Sequence, residues 1–157
     1  MRIFVDSDSC PVAAREMVLR FSARLGIKAV FAANRPIPGI PVGLSQDLAH
    51  MEVCSGDEGA ADRFITDQAR PGDLVLTRDL PLAEQLVEAG IRVLDDRGRV
   101  FTNENIRELR SFRDFVVTLA ENGQVTERTA CYGRKELASF ANSLDRELAR
   151  LKKASPS

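Results

Sequence analysis

Four aspartates, Asp6, Asp8, Asp62 and Asp79, are the residues of this 157-residue chain whose spacing best suits chemistry, because each falls near a point where a strand gives way to a helix. Asp6 ends the apolar run Ile3-Phe4-Val5, and Asp8 follows in the turn before Pro11. Asp79 follows the run Leu74-Val75-Leu76 in the turn Thr77-Arg78-Asp79. Asp62 needs a helical argument: at about 100° per residue, Ala61, Phe64, Ile65 and Ala69 make the stripe that faces a sheet, and Asp62 borders it while Arg63, Asp67 and Arg70 point to solvent. Asp73 precedes its strand and belongs at the opposite edge.

Carboxylates gathered in this way repel one another. Two like charges about 4 Å apart cost roughly 4 kcal/mol at an effective dielectric of about 20, so such a cluster either raises its pKa values or binds a divalent cation. An all-oxygen donor set without a His or Cys pair suits Mg²⁺ or Mn²⁺ better than zinc. Such an ion polarises a phosphoryl oxygen and activates water. Each acid also has a simpler role open to it. Asp8 or Ser9 can cap the helix at Pro11, Asp79 can cap the helix at Leu80-Pro81, each for about 1 kcal/mol, and Asp62 can be a solvated helix acid.

Positioning these residues requires alternating strands and helices. The sequence predicts strands over Arg2 to Asp6, Ile27 to Ala33, Leu48 to Val53, Asp73 to Thr77 and Ile91 to Leu94. Between them it predicts helices over Val12 to Leu25, closed by Gly26, over Asp57 to Arg70, and over Leu80 to Ala89, closed by Gly90. The first helix carries Val12, Ala13, Met17, Val18, Phe21 and Leu25 at helical spacing. The order implies an α/β fold in which a mostly parallel sheet of about five strands has helices on both faces. Asn34 to Gln46, rich in Pro and Gly, reads as a long functional loop. Beyond Arg97-Gly98 a helical pattern runs through Ile106, Leu109, Phe112, Val116 and Leu119, Glu121 to Gly133 reads as a linker, and a last helix aligns Leu137, Phe140, Leu144, Leu148 and Leu151. The expected organisation is one α/β core over residues 1–120, with residues 121–157 forming a linker and a helix that docks back on it; Lys152 to Ser157 are expected to fray.

A net charge of −1 denies the whole chain an attraction for nucleic acid, so that role needs a local basic surface. Arg128 to Lys153 supplies one. No apolar run approaches the roughly 20 residues of a membrane span, and the first residues read as a strand, which points to a cytoplasmic protein. Cys10, Cys54 and Cys131 have no C-x-x-C spacing and read as small buried side chains. The lone His50 sits mid-strand and is expected outside the site. A Cys10 nucleophile lacks the C-x₅-R loop it would need, because Arg15 comes one residue early.

Val5-Asp6-Ser7-Asp8-Ser9-Cys10-Pro11-Val12 resembles the D-A-D-A-C-P-V opening of the YaiI/YqxD family of uncharacterised bacterial proteins, with serines for both alanines. Gly59 to Ile65, Gly72 to Ala83, Arg97-Gly98 and Phe140 to Asp145 resemble its later blocks, in order. That family looks like a branch of the PIN-like nucleases, in which an acid ends the first strand, an A-D-x-x-I helix carries a second and a T-x-D turn a third. The resemblance implies a PIN-like three-layer domain and metal-dependent hydrolysis of phosphodiesters, RNA ahead of DNA. It assigns Asp6, Asp62 and Asp79 to catalysis and metal binding, with Asp8 added in this branch. Ser7, Asn34, Thr77 and Arg97 are the candidates for substrate contact.

Two other readings stay open. Asp6-Ser7-Asp8 also resembles the D-x-D motif of haloacid-dehalogenase-type phosphatases, with Thr77 and Asp95-Asp96 as later motifs, although Pro11 starts a helix where that family has a hairpin flap. A catalytically silent module that holds RNA on the basic C-terminal helix is the third.

Overall fold

The computed structural model describes residues 1–38, 48–54, 56–121 and 132–154. Five strands, β1 (Arg2–Asp6), β2 (Lys28–Ala33), β3 (Ala49–Val53), β4 (Leu74–Leu76) and β5 (Arg92–Leu94), form one sheet in the order β3-β2-β1-β4-β5. Every strand pair is parallel. The helices are α1 (Val12–Leu25), α2 (Ala60–Gln68), α3 (Leu80–Glu88), α4 (Asn103–Glu121) and α5 (Arg134–Ala154). A 3₁₀ turn at Ser7–Ser9 joins β1 to α1.

Strand side chains alternate between faces, and both faces are apolar, as a parallel sheet covered on both sides requires. Ile3, Val5, Phe31, Leu74 and Leu94 pack with Val18 and Phe21 of α1 and with Phe140, Leu144 and Leu148 of α5. On the other face Phe4, Val30, Val75 and Val93 pack with Ile65 of α2, Leu82 and Leu86 of α3 and Ile106 of α4. The result is a three-layer α/β fold in which the last helix belongs to the same core as the first.

The element boundaries differ from expectation where local chemistry intervenes. Helix α2 begins at Ala60 rather than near Asp57, because Gly59 turns the chain with φ +92° and Arg63 reaches back to Asp57. Val12 is 59% exposed, and the buried stripe of α1 runs instead through Ala14, Val18, Phe21 and Ser22. Phe112 is 67% exposed, since α4 packs on α3 through its first turns while its later turns run past the body. Helix α5 continues through Lys152 to Ala154, where fraying was expected. The loop expectation at residues 39–46, most of the linker (residues 122–131, Cys131 included) and residues 155–157 lie outside the described residues. Among the described residues no helix is long and apolar enough to cross a membrane.

Candidate functional site

The chain leaves β1 towards β2 on one side and later enters β4 on the other, so α1 and α3 depart from adjacent strands onto opposite faces. A crevice opens at such a switch point, at the carboxyl ends of the strands. Asp6, Asp8, Asp62 and Asp79 all line the cavity found there, which has a volume of about 470 Å³.

Asp6 is the last residue of β1 and is buried. Its Oδ2 accepts hydrogen bonds from Thr77 Oγ1 at 2.8 Å and Ser9 Oγ at 3.2 Å. Burial raises its pKa, the two hydroxyls pull it down, and the charges of Asp79 and Asp8 raise it further. Thr77 ties two acids together, because the oxygen that donates to Asp6 also accepts the backbone N–H of Asp79 at 3.0 Å. Asp79 in turn caps α3, its Oδ1 accepting the N–H of Leu82 at 3.0 Å. The capping role open to Asp79 is therefore real, and it holds the carboxylate at the crevice.

Asp8 and Ser9 do not cap α1. Pro11 occupies the cap position without a side-chain hydrogen bond, and Asp8 Oδ2 instead accepts the backbone N–H of Asn34 at 3.1 Å, joining the β1 turn to the end of β2. Asp62 lies half-buried in the first turn of α2. Its pKa is pushed up to about 6, first by burial and then by the charges of Asp6, Asp79 and Asp8. Arg63 opposes this only weakly, being turned to Asp57.

Three of the eight residues assigned from the sequence do not line the acid cavity. Ser7 is buried at 1% exposure, donates to the carbonyl of Val5 and does not line the cavity, because the 3₁₀ turn points Ser9 there instead. Thr77, 2% exposed, positions Asp6 and Asp79 and has no open face for substrate. Arg97 lines neighbouring grooves rather than the acid cavity. Asn34 does line it.

The sequence reading missed Ser9, Arg78 and Arg113, all of which reach the cavity wall. Arg78 was legible as the middle residue of the Thr77-Arg78-Asp79 turn. Its Nε donates to Asp96 Oδ2 at 2.6 Å, which anchors it to the loop after β5. Arg113 carried no signal, since its approach depends on how α4 packs on α3. Cys10 is buried beside Asp96, and burial pushes its thiol up to about 12, which leaves it protonated and unsuited to nucleophilic attack. His50 sits in β3 with its Nε2 3.2 Å from Glu52 Oε1, away from the acids. Among the described residues no lysine lines the acid cavity: Lys135 lies in the first turn of α5, and the cavity wall holds arginines where a phosphatase of the D-x-D type would need a lysine to balance the phosphate charge.

Asp6, Asp8 and Asp79 each engage one carboxylate oxygen locally. Their other oxygens, and both of Asp62, accept no hydrogen bond from a described residue. As the side chains lie, no three Asp, Glu, His or Cys groups among the described residues are close enough to enclose a metal ion. The donor chemistry, four carboxylates with unspent lone pairs around one cavity, fits an oxygen-seeking divalent cation.

A family model described as "Uncharacterized BCR, YaiI/YqxD family" matches residues 4–150. Similar chains carry the name UPF0178 protein. The one from Treponema pallidum is 49% identical over 151 residues, covering 96% of this chain and 83% of its own length. That of Treponema denticola is 45% identical over 150 residues (96% and 93%), and that of Myxococcus xanthus is 42% identical over 156 residues (99% of each). No solved structure matches the chain.

Proposed function

The chain belongs to the YaiI/YqxD family, and on that footing we propose that it is a nuclease, dependent on Mg²⁺ or Mn²⁺, that hydrolyses phosphodiester bonds in RNA ahead of DNA. The observation that carries this reading is the meeting of four carboxylates, from three strand-to-helix connections, in one crevice at the switch point of the sheet. Burial first, and then the charges of Asp6, Asp79 and Asp8, raise the pKa of Asp62, the direction expected of a carboxylate grouping without a counter-ion.

Asp6, Asp8, Asp62 and Asp79 would hold the cation. When bound, it supplies Lewis-acid polarisation of a phosphoryl oxygen and lowers the pKa of water. The protein's own part is positional. Thr77 fixes the spacing of Asp6 and Asp79, and the N-terminus of α3 holds the Asp79 carboxylate in place. Arg78 and Arg113, on the same wall, present guanidinium groups to a phosphate whose charge the acids would otherwise repel. Asp62, the least engaged acid and the one with the raised pKa, is the group best suited to take a proton from the attacking water.

Calorimetric titration with Mn²⁺ and cleavage of labelled RNA test the reading together. Asp62→Asn and Asp6→Asn should each weaken Mn²⁺ binding and cleavage by more than about 100-fold, beyond the 10–100-fold typical of groups that only support a metal site. RNA binding that survives chelation, with no cleavage under any metal, would select the silent binding module instead. Trapping of an aspartyl-phosphate would select the phosphatase.

A further inference from the structure

The acid crevice does not end at its own walls. It shares Arg78, Leu80 and Arg113 with a second groove of about 550 Å³, and that groove shares Asp95, Arg97 and Arg99 with a third of about 500 Å³ lying against α5. The three adjoin along the carboxyl edge of the sheet. In the second and third, the acids turn inward and the arginines outward. Asp95 is buried, its Oδ1 accepting the backbone N–H groups of Arg97 at 2.9 Å and Arg99 at 2.8 Å, and Asp96 is buried against Arg78. The side chains of Arg97 and Arg99 are exposed, and Arg146 of α5 is 52% exposed on the far wall.

This basic region is rigidly built. Gly98 has φ +91°, and a Cβ there would meet the carbonyl oxygen of Ser139 at 2.6 Å. Ser143 Oγ donates to Gly98 O at 2.7 Å, and the Arg146 guanidinium donates to that same hydroxyl at 3.2 Å. The loop carrying Arg97 and Arg99 is thereby set against the helix carrying Arg146. Between this region and the crevice stands Phe112, whose ring is left 67% exposed in the middle groove. An exposed aromatic ring flanked by arginines is the arrangement on which an unpaired base stacks while its phosphates are neutralised.

We propose that Arg97, Arg99 and Arg146, together with Phe112, form a track for the backbone of a single nucleic acid strand that leads away from the acid crevice towards α5. The identity of the occupant rests on the nuclease reading; the location of the track does not. Charge complementarity favours a polyphosphate, and the stacking platform favours one strand over a duplex, whose bases are already stacked.

Fluorescence anisotropy of the metal-free full chain tests this, with a labelled dodecanucleotide, a labelled dinucleotide and a labelled duplex as probes. The double variant Arg99→Gln/Arg146→Gln should weaken binding of the long strand about tenfold or more while changing dinucleotide binding little. It should also flatten the dependence of log K on log salt by about 1.4, two phosphate contacts at roughly 0.7 each. Arg99→Lys/Arg146→Lys should restore the salt slope, which separates lost charge from damaged folding. Phe112→Ala should weaken the single strand about tenfold and leave the duplex unchanged. An unchanged salt slope, an equal loss for all three probes, or no binding of the long strand by the wild type would overturn the proposal. RNA cleavage by the wild type alongside an unchanged slope in the double variant would remove the track and leave the nuclease. Strand binding as expected with no cleavage under any metal would do the reverse.

Discussion

At the scale of single residues, the grouping of acids makes two predictions. Asp62 has a folded pKa of about 6 against an ordinary value near 3.8. The folded chain thus holds this proton more tightly than the unfolded chain, so the associated stability is complete below about pH 3.8 and is lost as pH rises through about 6. Asp6 and Asp95 are raised as well and act in the same direction. Metal-free protein should therefore melt at a lower temperature at pH 7 than at pH 5, and Asp62→Asn should reduce that difference in scanning calorimetry. The affinity for Mn²⁺ should run the opposite way, rising through the same interval because cation and proton compete for one carboxylate. The second prediction separates the two roles of Asp79. Asn is as good an N-cap as Asp, whereas Ala is not. Without metal, Asp79→Asn should leave stability near that of the wild type, and Asp79→Ala should lose about 1 kcal/mol in urea titration. Equal losses for both would mean that the charge itself, and not the cap, holds the turn.

At the scale of elements, the strand-to-helix turns were legible because each joins a short apolar run to a helix start, a pattern readable from residues alone. Asp6, Asp8 and Asp79 were found by that rule and Asp62 by its place on the border of a helical stripe, and the five strands fell within a residue or two of expectation. What stayed hidden depended on packing between elements distant in the chain. The direction of Ser7 stayed hidden because the turn before Pro11 is a 3₁₀ turn, which sends the Ser7 hydroxyl to the carbonyl of Val5 and leaves Ser9 on the cavity wall. Arg113 could not be placed without knowing that α4 crosses α3, a contact fixed partly by the ion pair of Arg110 with Glu84. The contact of the Arg97–Arg99 loop with α5 is the tightest of these meetings. Gly98→Ala would bring both an unfavourable φ and a backbone collision, and should cost about 2 kcal/mol or more, read from the denaturation midpoint. If Gly98→Ala were neutral, the loop and helix would have to be free to separate.

At the scale of the whole molecule, the proposed cation would link ion binding to folding, since its four carboxylates come together only when three connections have been brought together. Mn²⁺ at about 100 times its dissociation constant should stabilise the chain by about 2.7 kcal/mol, and chelation should reverse this in thermal melts. The central place of β1 extends that linkage to the making of the protein. Asp6 and Thr77, bonded across the crevice, are separated by 71 residues, so at about 5–20 residues per second the ribosome releases the second several seconds after the first. Strand β1, which ends in the middle of the sheet between β2 and β4, emerges before either of these neighbours exists. The mutual repulsion of the acids is thus deferred until the chain is about half made, when Asp79 follows Asp6, Asp8 and Asp62, and cellular divalent ions would speed that meeting rather than the first steps of the nascent chain.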